Sequence, residues 1–387
     1  MKFIVLANLF SGLDSIVSDN KILSEGSPAY FSLINYLKNN EKYELYFFRT
    51  KMSNQKKYIN EIYIEELNQK IKVVRGLNFL YKKKIGFLPN KIFMYMVVFY
   101  KNQLLNRGNI FYIDRDNILL SFLLDVLGKK SIVRFLGVNE NFYKYLHKRG
   151  VYAKIIQHVF ESKNVIKFFT KDGSYSELCA DYPNSYLYFN GITKSDIYKV
   201  KPRNKIVISY IGRIERYKGQ RELLEVISYC KHLDIHVNLI GDGSDRDYIQ
   251  EYIGSNQLDK MVTIVGKVNQ QKVFEYLNKS NLFVSINKLG IYGNTLLEAS
   301  KYRLPIIALD HDYFNDVNKK FIYLIKQENL IDNLLEAIIF FYDNPSNLDV
   351  YAKKSEEFYK GLSSWEERIN DEFLIIKKFS NKSKIIK

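Results

Sequence analysis

Cysteine is almost missing from this sequence: only Cys179 and Cys230 occur among 387 residues, far apart and in neither a CxxC nor a metal-ligand spacing. That excludes a disulfide framework, fits a reducing compartment, and leaves both as ordinary core residues. Histidine is scarce too, five in all, with only His232 and His236 at helical spacing. The alternation of Ile235, Val237 and Leu239 puts His236 at a strand start, so no metal site is expected. A secretory signal is not visible, because Met1 to Ala7 is short and runs into polar and acidic residues; it reads as a first strand. No apolar run reaches the roughly 20 residues that cross a bilayer, and the longest, Ile92 to Tyr100, is about half of that. Zinc-finger spacing, an RNP-like aromatic box and a helix-turn-helix signature are all lacking. There is no repeat or low-complexity block beyond the basic terminus Lys382 to Lys387, which reads as frayed.

What the chain has in excess is positive charge, a net +16. Such a balance calls for a polyanionic neighbour, nucleic acid or an acidic membrane surface. Without a nucleic-acid motif the anionic membrane is the expected partner, and a peripheral protein of the cytoplasm, on the inner face of the cell membrane, is the expected setting. The segment Leu77 to Lys91 interleaves large apolar side chains with four lysines. It could press into the interface while each lysine meets anionic headgroups for about 1 kcal/mol. The bland alternative is a basic loop beside a buried helix.

Length allows about two domains, and 47% hydrophobic residues place the chain among globular proteins. The first half alternates strands and helices: Phe3 to Asn8, a helix around Ala29 to Leu37, Tyr43 to Phe48, Ile110 to Ile113, a helix around Ile118 to Leu127, Ser131 to Phe135, and a helix over Lys154 to Phe169. This alternation predicts an α/β protein with parallel sheets covered on both faces. A strand over Tyr186 to Phe189 and the Lys-rich interval Lys194 to Lys205, which contains Pro202, place a boundary near residue 200. The second half passes through Gly212, Gly241, Gly266 and Gly293, each following an apolar strand. Asp343-Asn344-Pro345 ends a helix over Ile331 to Phe341, and a tail helix runs from Ser364-Trp365-Glu366 to about Lys378.

Two of these turns carry chemistry. In Tyr210 to Gly219, Gly212 lets the chain leave a buried strand at an angle a side chain would obstruct, while Arg213 and Lys218 can converge on one anion, for which a diphosphate is the natural guest. Leu223, Leu224 and Ile227 share one face of the helix that follows. Taken alone, a solvated loop in a basic protein is the simpler account of the same residues, and a second element downstream is what changes the balance. In Leu289 to Ala299, a glycine turn opens a helix whose N–H groups at Gly293, Asn294 and Thr295 suit an anion or a sugar hydroxyl. Glu298, about one turn on, can accept both hydroxyls of a ribose. A surface glutamate favoured by the helix dipole is the alternative, and position alone does not choose.

Together with Leu239-Ile240-Gly241-Asp242-Gly243, Val262 to Val268 and Asn294 to Ala299, these motifs resemble the family 4 retaining glycosyltransferases. The resemblance implies the GT-B fold, two Rossmann-like domains facing each other across a cleft: residues 1–200 for the acceptor, 201–365 for the nucleotide sugar, and a helix over 366–387 crossing back to the first domain. It implies a UDP- or GDP-linked sugar as donor, no metal and no other cofactor. Arg213 and Lys218 would neutralise the departing diphosphate, and Glu298 would bind the ribose. Gly26, in the turn Glu25 to Ala29, would approach the phosphates from the first domain. Gly212, Gly241, Gly290, Gly293, Asn294 and Thr295 would line the diphosphate or donor sugar, and Gly266, Lys267 and Val268 the nucleobase. One departure matters: such enzymes carry a second glutamate eight residues before the helix glutamate, where this chain has Gly290. Asn287 stands close enough to be a substitute.

Arg134, at a strand end, and His158 are the candidate acceptor groups. Asp114-Arg115-Asp116 and Asp310-His311-Asp312 spell Asp-x-Asp but lack the single-domain context of the fold that uses it, and Gly241-Asp242-Gly243 lacks the third glycine of a dinucleotide fingerprint, since Arg246 stands there. The expected activity is transfer of a hexose to a glycan or polyprenyl-linked oligosaccharide in bacterial cell-surface polysaccharide assembly (O-antigen or capsule). The alternative is a non-catalytic nucleotide- or glycan-binding partner subunit that has lost its donor-sugar carboxylate.

Overall fold

The computed structural model describes residues 2–8, 17–18, 21–22, 28–49, 61–64, 69–75, 87–101, 109–135, 137–172, 174–192, 194, 205–289, 293–310 and 320–381. The chain forms two compact units, one of residues 1–171, 175–191 and 365–387, the other of residues 172–174 and 192–364. The division falls at Gly191 and Ile192 rather than near residue 200, because Ile192 bridges to Ser364 and its N–H donates to Ser363 O at 3.0 Å.

The first unit contains β1 (Lys2–Asn8), the short antiparallel pair β2 (Val17–Ser18) and β3 (Lys21–Ile22), β4 (Lys42–Arg49), β5 (Glu61–Ile64), β6 (Gln69–Arg75), β7 (Asn109–Asp114), β8 (Ser131–Phe135), β9 (Val165–Thr170) and β10 (Ser185–Tyr188). Its helices include α1 (Pro28–Asn40), α2 (Phe87–Lys101), α3 (Ile118–Val126), α4 (Glu140–Lys144) and α5 (Val151–Glu161). Among the described residues the main sheet runs β10-β9-β8-β7-β1-β4-β6-β5, parallel except for β5 on β6. Alternation along β1 feeds two cores. Phe3 and Val5 pack with Leu33, Ile34 and Leu37 of α1, while Ile4 and Leu6 pack with Met94 and Val98 of α2 and Ile156 of α5. Both faces of a parallel sheet are thus covered, which is why its strands read as nearly continuous apolar runs.

The second unit contains β11 (Ile206–Ile211), α6 (Gln220–Tyr229), β12 (Ile235–Ile240), α7 (Arg246–Ser255), β13 (Val262–Gly266), α8 (Gln270–Lys279), β14 (Leu282–Ser285), α9 (Asn294–Lys301), β15 (Ile306–Leu309), β16 (Tyr323–Ile325), α10 (Leu330–Asp343) and α11 (Pro345–Gly361). Its sheet is wholly parallel in the order β13-β12-β11-β14-β15-β16. Leu223, Leu224 and Ile227 of α6 are buried against Ile208 and Tyr210. α12 (Trp365–Asn381) then returns to the first unit, where Phe373 stacks on Tyr36 at 4.1 Å and meets Phe3 edge-on at 5.2 Å.

The expected helix over Lys154 to Phe169 is two elements. α5 ends at Glu161, and β9 begins at Val165 with every residue buried. Period cannot separate a fully buried strand from a buried helix. The break is secured by Lys167, whose ammonium donates to the carbonyls of Phe160 (2.9 Å) and Ser162 (3.1 Å) at the carboxyl end of α5. Pro345 does more than end α10: it sits in the first turn of α11, where its missing N–H costs nothing.

Candidate functional site

In the second unit β11 pairs with β12 on one side and β14 on the other, so the chain winds outward in opposite directions from these two strands. That is a topological switch point, where loops leaving the carboxyl ends diverge and leave room for a ligand. The loop carrying Arg213 and Lys218 follows β11, and the segment leading to Glu298 follows β14.

The turns at this edge brace one another. Gly212 N–H donates to Ile240 O at 3.0 Å, Ile214 N–H to Asp242 O at 3.0 Å, and Gly241 N–H to Gly266 O at 2.9 Å. A Cβ on Gly241 would lie 1.8 Å from Gly212 O, and the residue has φ +143°, so close packing of two turns is what requires glycine there. Gly212 differs: a Cβ on it would meet nothing within 4 Å, which leaves space beside the loop. On the other side, Gly219 (φ +86°) presses on Ile286 O, 2.6 Å from where its Cβ would be, and Lys288 N–H donates to Tyr217 O at 2.9 Å. The cationic loop is therefore held between the turn after β12 and the turn after β14.

The two cations do come together. Lys218 is half-buried, and its ammonium has its pKa lowered first by burial and then by the nearby charge of Arg213. Arg213 is exposed, its Nη2 donating to the Tyr217 hydroxyl at 2.8 Å, while the Lys218 ammonium lies 5.5 Å from the Tyr217 ring centre. Gln220 Nε2 holds Arg213 O at 2.9 Å, and the Tyr210 hydroxyl donates to Lys218 O. Two like charges kept side by side with polar supports form a ready receptor for a dianion. Tyr217 and Gln220 were missed in the sequence because an aromatic and an amide in a loop belong to no motif.

Gly293 caps α9 in extended conformation, and Asn294 and Thr295 form its first turn. Glu298 is half-buried, and burial raises its pKa against the opposing effects of Gln270 and Lys301. Gln270 Nε2, at the start of α8, donates to Glu298 Oε1 at 3.4 Å. That bond connects α9 to the turn of exposed Lys267 and half-buried Val268 just before α8. Gln270 is another supporting residue that no local pattern announces. Gly26 and Gly290 lie outside the described residues.

Both acceptor candidates need correction. Arg134 is only 6% exposed, and its guanidinium donates to Glu372 of α12, itself fully buried and also bonded by Arg368 Nε at 2.9 Å. Burial works against the Arg134 charge, and Glu372 together with Tyr112 more than offsets it, so the residue anchors α12 rather than meeting an acceptor. His158 Nε2 is 2.8 Å from Asp125 Oδ2 at the end of α3. Its helix ends just before β9 begins, and Asp125 just before β8, so the pair lies at the amino edge of the sheet, away from the carboxyl ends where ligands bind.

A parallel sheet of order 3-2-1-4-5-6 makes the second unit a Rossmann-like domain, and β6-β4-β1-β7-β8-β9 repeats that order in the first. Two Rossmann-like domains in one chain constitute the GT-B fold. Residues 193–358 match the glycosyl transferases group 1 family. Over 182 residues the sequence is 29% identical to the GPI3 subunit of phosphatidylinositol N-acetylglucosaminyltransferase from Saccharomyces cerevisiae, covering 42% of this chain and 40% of that one. Over 195 residues it is 25% identical to alpha-monoglucosyldiacylglycerol synthase from Acholeplasma laidlawii, covering 48% of each. The matched stretch thus spans less than half the length of these relatives. Anabaena HepE, solved in complex with UDP, is similar in fold with a TM-score of 0.67 at 14% identity, covering 98% of this chain and 100% of that one.

Proposed function

We propose that this protein is a retaining, metal-independent glycosyltransferase that moves a hexose from a UDP- or GDP-linked donor to a glycan or polyprenyl-linked oligosaccharide. The observation that carries the reading is the pairing of Arg213 with Lys218 on one braced loop at the switch point of a group 1 domain. When the sugar–phosphate bond breaks, negative charge accumulates on the departing diphosphate. Cations already fixed beside it stabilise that charge without reorganising, and losing one such group typically lowers turnover by about 100- to 1000-fold. Glu298, bonded by Gln270, would accept the ribose hydroxyls, with Lys267 and Val268 beside the base. UDP in HepE supports a nucleotide donor, and the names of the yeast and Acholeplasma relatives support a lipid-borne acceptor.

With its +16 charge, the protein works at the inner face of a bacterial membrane, in the cytoplasm, in O-antigen or capsule assembly. The test is transfer by the purified chain from a panel of UDP- and GDP-hexoses to a polyprenyl-linked acceptor. Arg213→Ala should lower turnover by roughly 100-fold or more with an unchanged melting temperature. Equal turnover in the variant would refute the role given to the cationic loop. Nucleotide binding with no transfer at all would favour a non-catalytic partner subunit, the reading that Gly290 in place of a glutamate suggests.

A further inference from the structure

Among the exposed large apolar side chains of the first unit are two groups, on α5 and on α2. Val151 and Tyr152, the first two residues of α5, are 80% and 49% exposed. Tyr152 lies within electrostatic range of Tyr95 on α2 and of Asp116, in the turn that directly follows β7. Lys91 and Tyr95 of α2 bond to that same turn, through Asp116 O and through Asn117 Oδ1 at 3.0 Å. The start of α5 therefore adjoins α2 at the carboxyl edge of the sheet. On α2, Ile92, Met96 and Tyr100 recur every four residues and are 40%, 62% and 89% exposed, a stripe about 12 Å long that starts near this edge and runs toward the amino edge, since α2 precedes β7.

Cations flank the α5 end of this surface. Lys148 and Arg149 in the loop before α5, and Lys154 in its first turn, are exposed and in no ion pair among the described residues. Of the nearby acids, Glu140 is paired with Lys144 at 2.7 Å and Asp116 lies 3.7 Å from Arg115. The loop is braced: Gln157 Nε2 donates to Leu146 O (3.1 Å) and Lys148 O (3.0 Å), and Tyr145 meets Tyr152 edge-on at 5.4 Å. Apolar side chains projecting within a fringe of unpaired cations match the interface of an anionic bilayer, acyl boundary inside and phosphate outside.

We propose that the α5 tip, Lys148 to Lys154, together with the Ile92–Met96–Tyr100 face of α2, is the surface on which this protein sits on anionic phospholipid. It deepens the proposed function, on whose lipid-borne acceptor it rests for its purpose: the bilayer meets the carboxyl edge of the first unit, where a membrane-anchored acceptor must be presented. Nucleic acid also attracts cations, but it offers nothing to Val151 or Met96.

The test is flotation of the full chain with phosphatidylcholine vesicles with and without about 30% phosphatidylglycerol. The protein should float only with the anionic vesicles. Neutralising Lys148, Arg149 and Lys154 to Gln should weaken partitioning roughly 100-fold, and Val151→Ser with Met96→Ser should weaken it about tenfold, each at unchanged melting temperature. Transfer to a water-soluble acceptor should be the same in both variants. Failure of the parent to float, equal flotation of the variants, or duplex DNA binding as tight as vesicle binding and indifferent to Val151→Ser would overturn the assignment. Absence of transfer in the parent would count against the enzymatic reading while leaving the flotation result to stand by itself.

Discussion

Replacing Glu372 by Gln should unfasten α12 from the first unit. Glu372 is fully buried, and its Oε1 accepts from both Arg134 and Arg368. The Tyr112 hydroxyl is 3.4 Å from Oε2, and Arg368 also donates to Phe189 O and lies 4.8 Å from the Tyr188 ring centre. Gln keeps the shape but removes the one negative charge, leaving two guanidinium groups buried without a counter-ion. Breaking a buried pair from one side costs about 3–5 kcal/mol. For a unit of about 200 residues that is a drop of roughly 6 to 20 °C in its melting temperature. The chain has two units and need not melt in one step, so the transition to follow is that of the first unit, resolved by calorimetry with and without UDP to move the second. Replacing all three charges by apolar residues of similar volume should recover much of the loss, as buried ion pairs exchanged whole commonly do. A shift of under 2 °C in Glu372→Gln would refute the cluster. A rise in acceptor KM without any loss of stability in Arg134→Met would restore Arg134 as an acceptor group.

Two further outcomes bear on the donor site. Tyr217→Phe removes the hydroxyl that holds Arg213 and keeps the ring beside Lys218, so kcat/KM should fall about fivefold with an unchanged melting temperature; an unaltered rate would show that Arg213 needs no tether. Burial raises the pKa of Glu298, and only the carboxylate can accept both ribose hydroxyls. Affinity for UDP, measured by calorimetric titration, should therefore weaken on acidification already above the ordinary carboxylate range, and Glu298→Gln should bind weakly and independently of pH across that window.

What could be read from residues alone was the edge of the sheet that carries the candidate site. The pattern of apolar strand, glycine turn and amphipathic helix recurs after β11, β12, β13 and β14, and it put Arg213 and Lys218 in the loop after β11 and Glu298 in the helix after β14. What could not be read was direction. Arg134 stands at the end of β8, but all five residues of that strand are buried, so no polar face betrays that its side chain turns toward α12. His158 looked available because helix periodicity tells nothing about how far along a helix the functional edge lies. The supports Gln270 and Glu298 are 28 residues apart, and the pairing of Arg134 with Glu372 spans 238. Such partners meet only after the chain has folded.

The last helix also orders events during synthesis. Phe373 and Ile376 share a core with Phe3 and Val5, and Tyr112 meets a partner 260 residues downstream. At ribosomal speeds of about 5–20 residues per second, that partner emerges tens of seconds later. The second unit has all its strands available before the unit that precedes it can close its core. The nascent amino-terminal sheet must wait with the face of Phe3 and Val5 covered by α1 but not yet by α12, so the part made first is the part finished last.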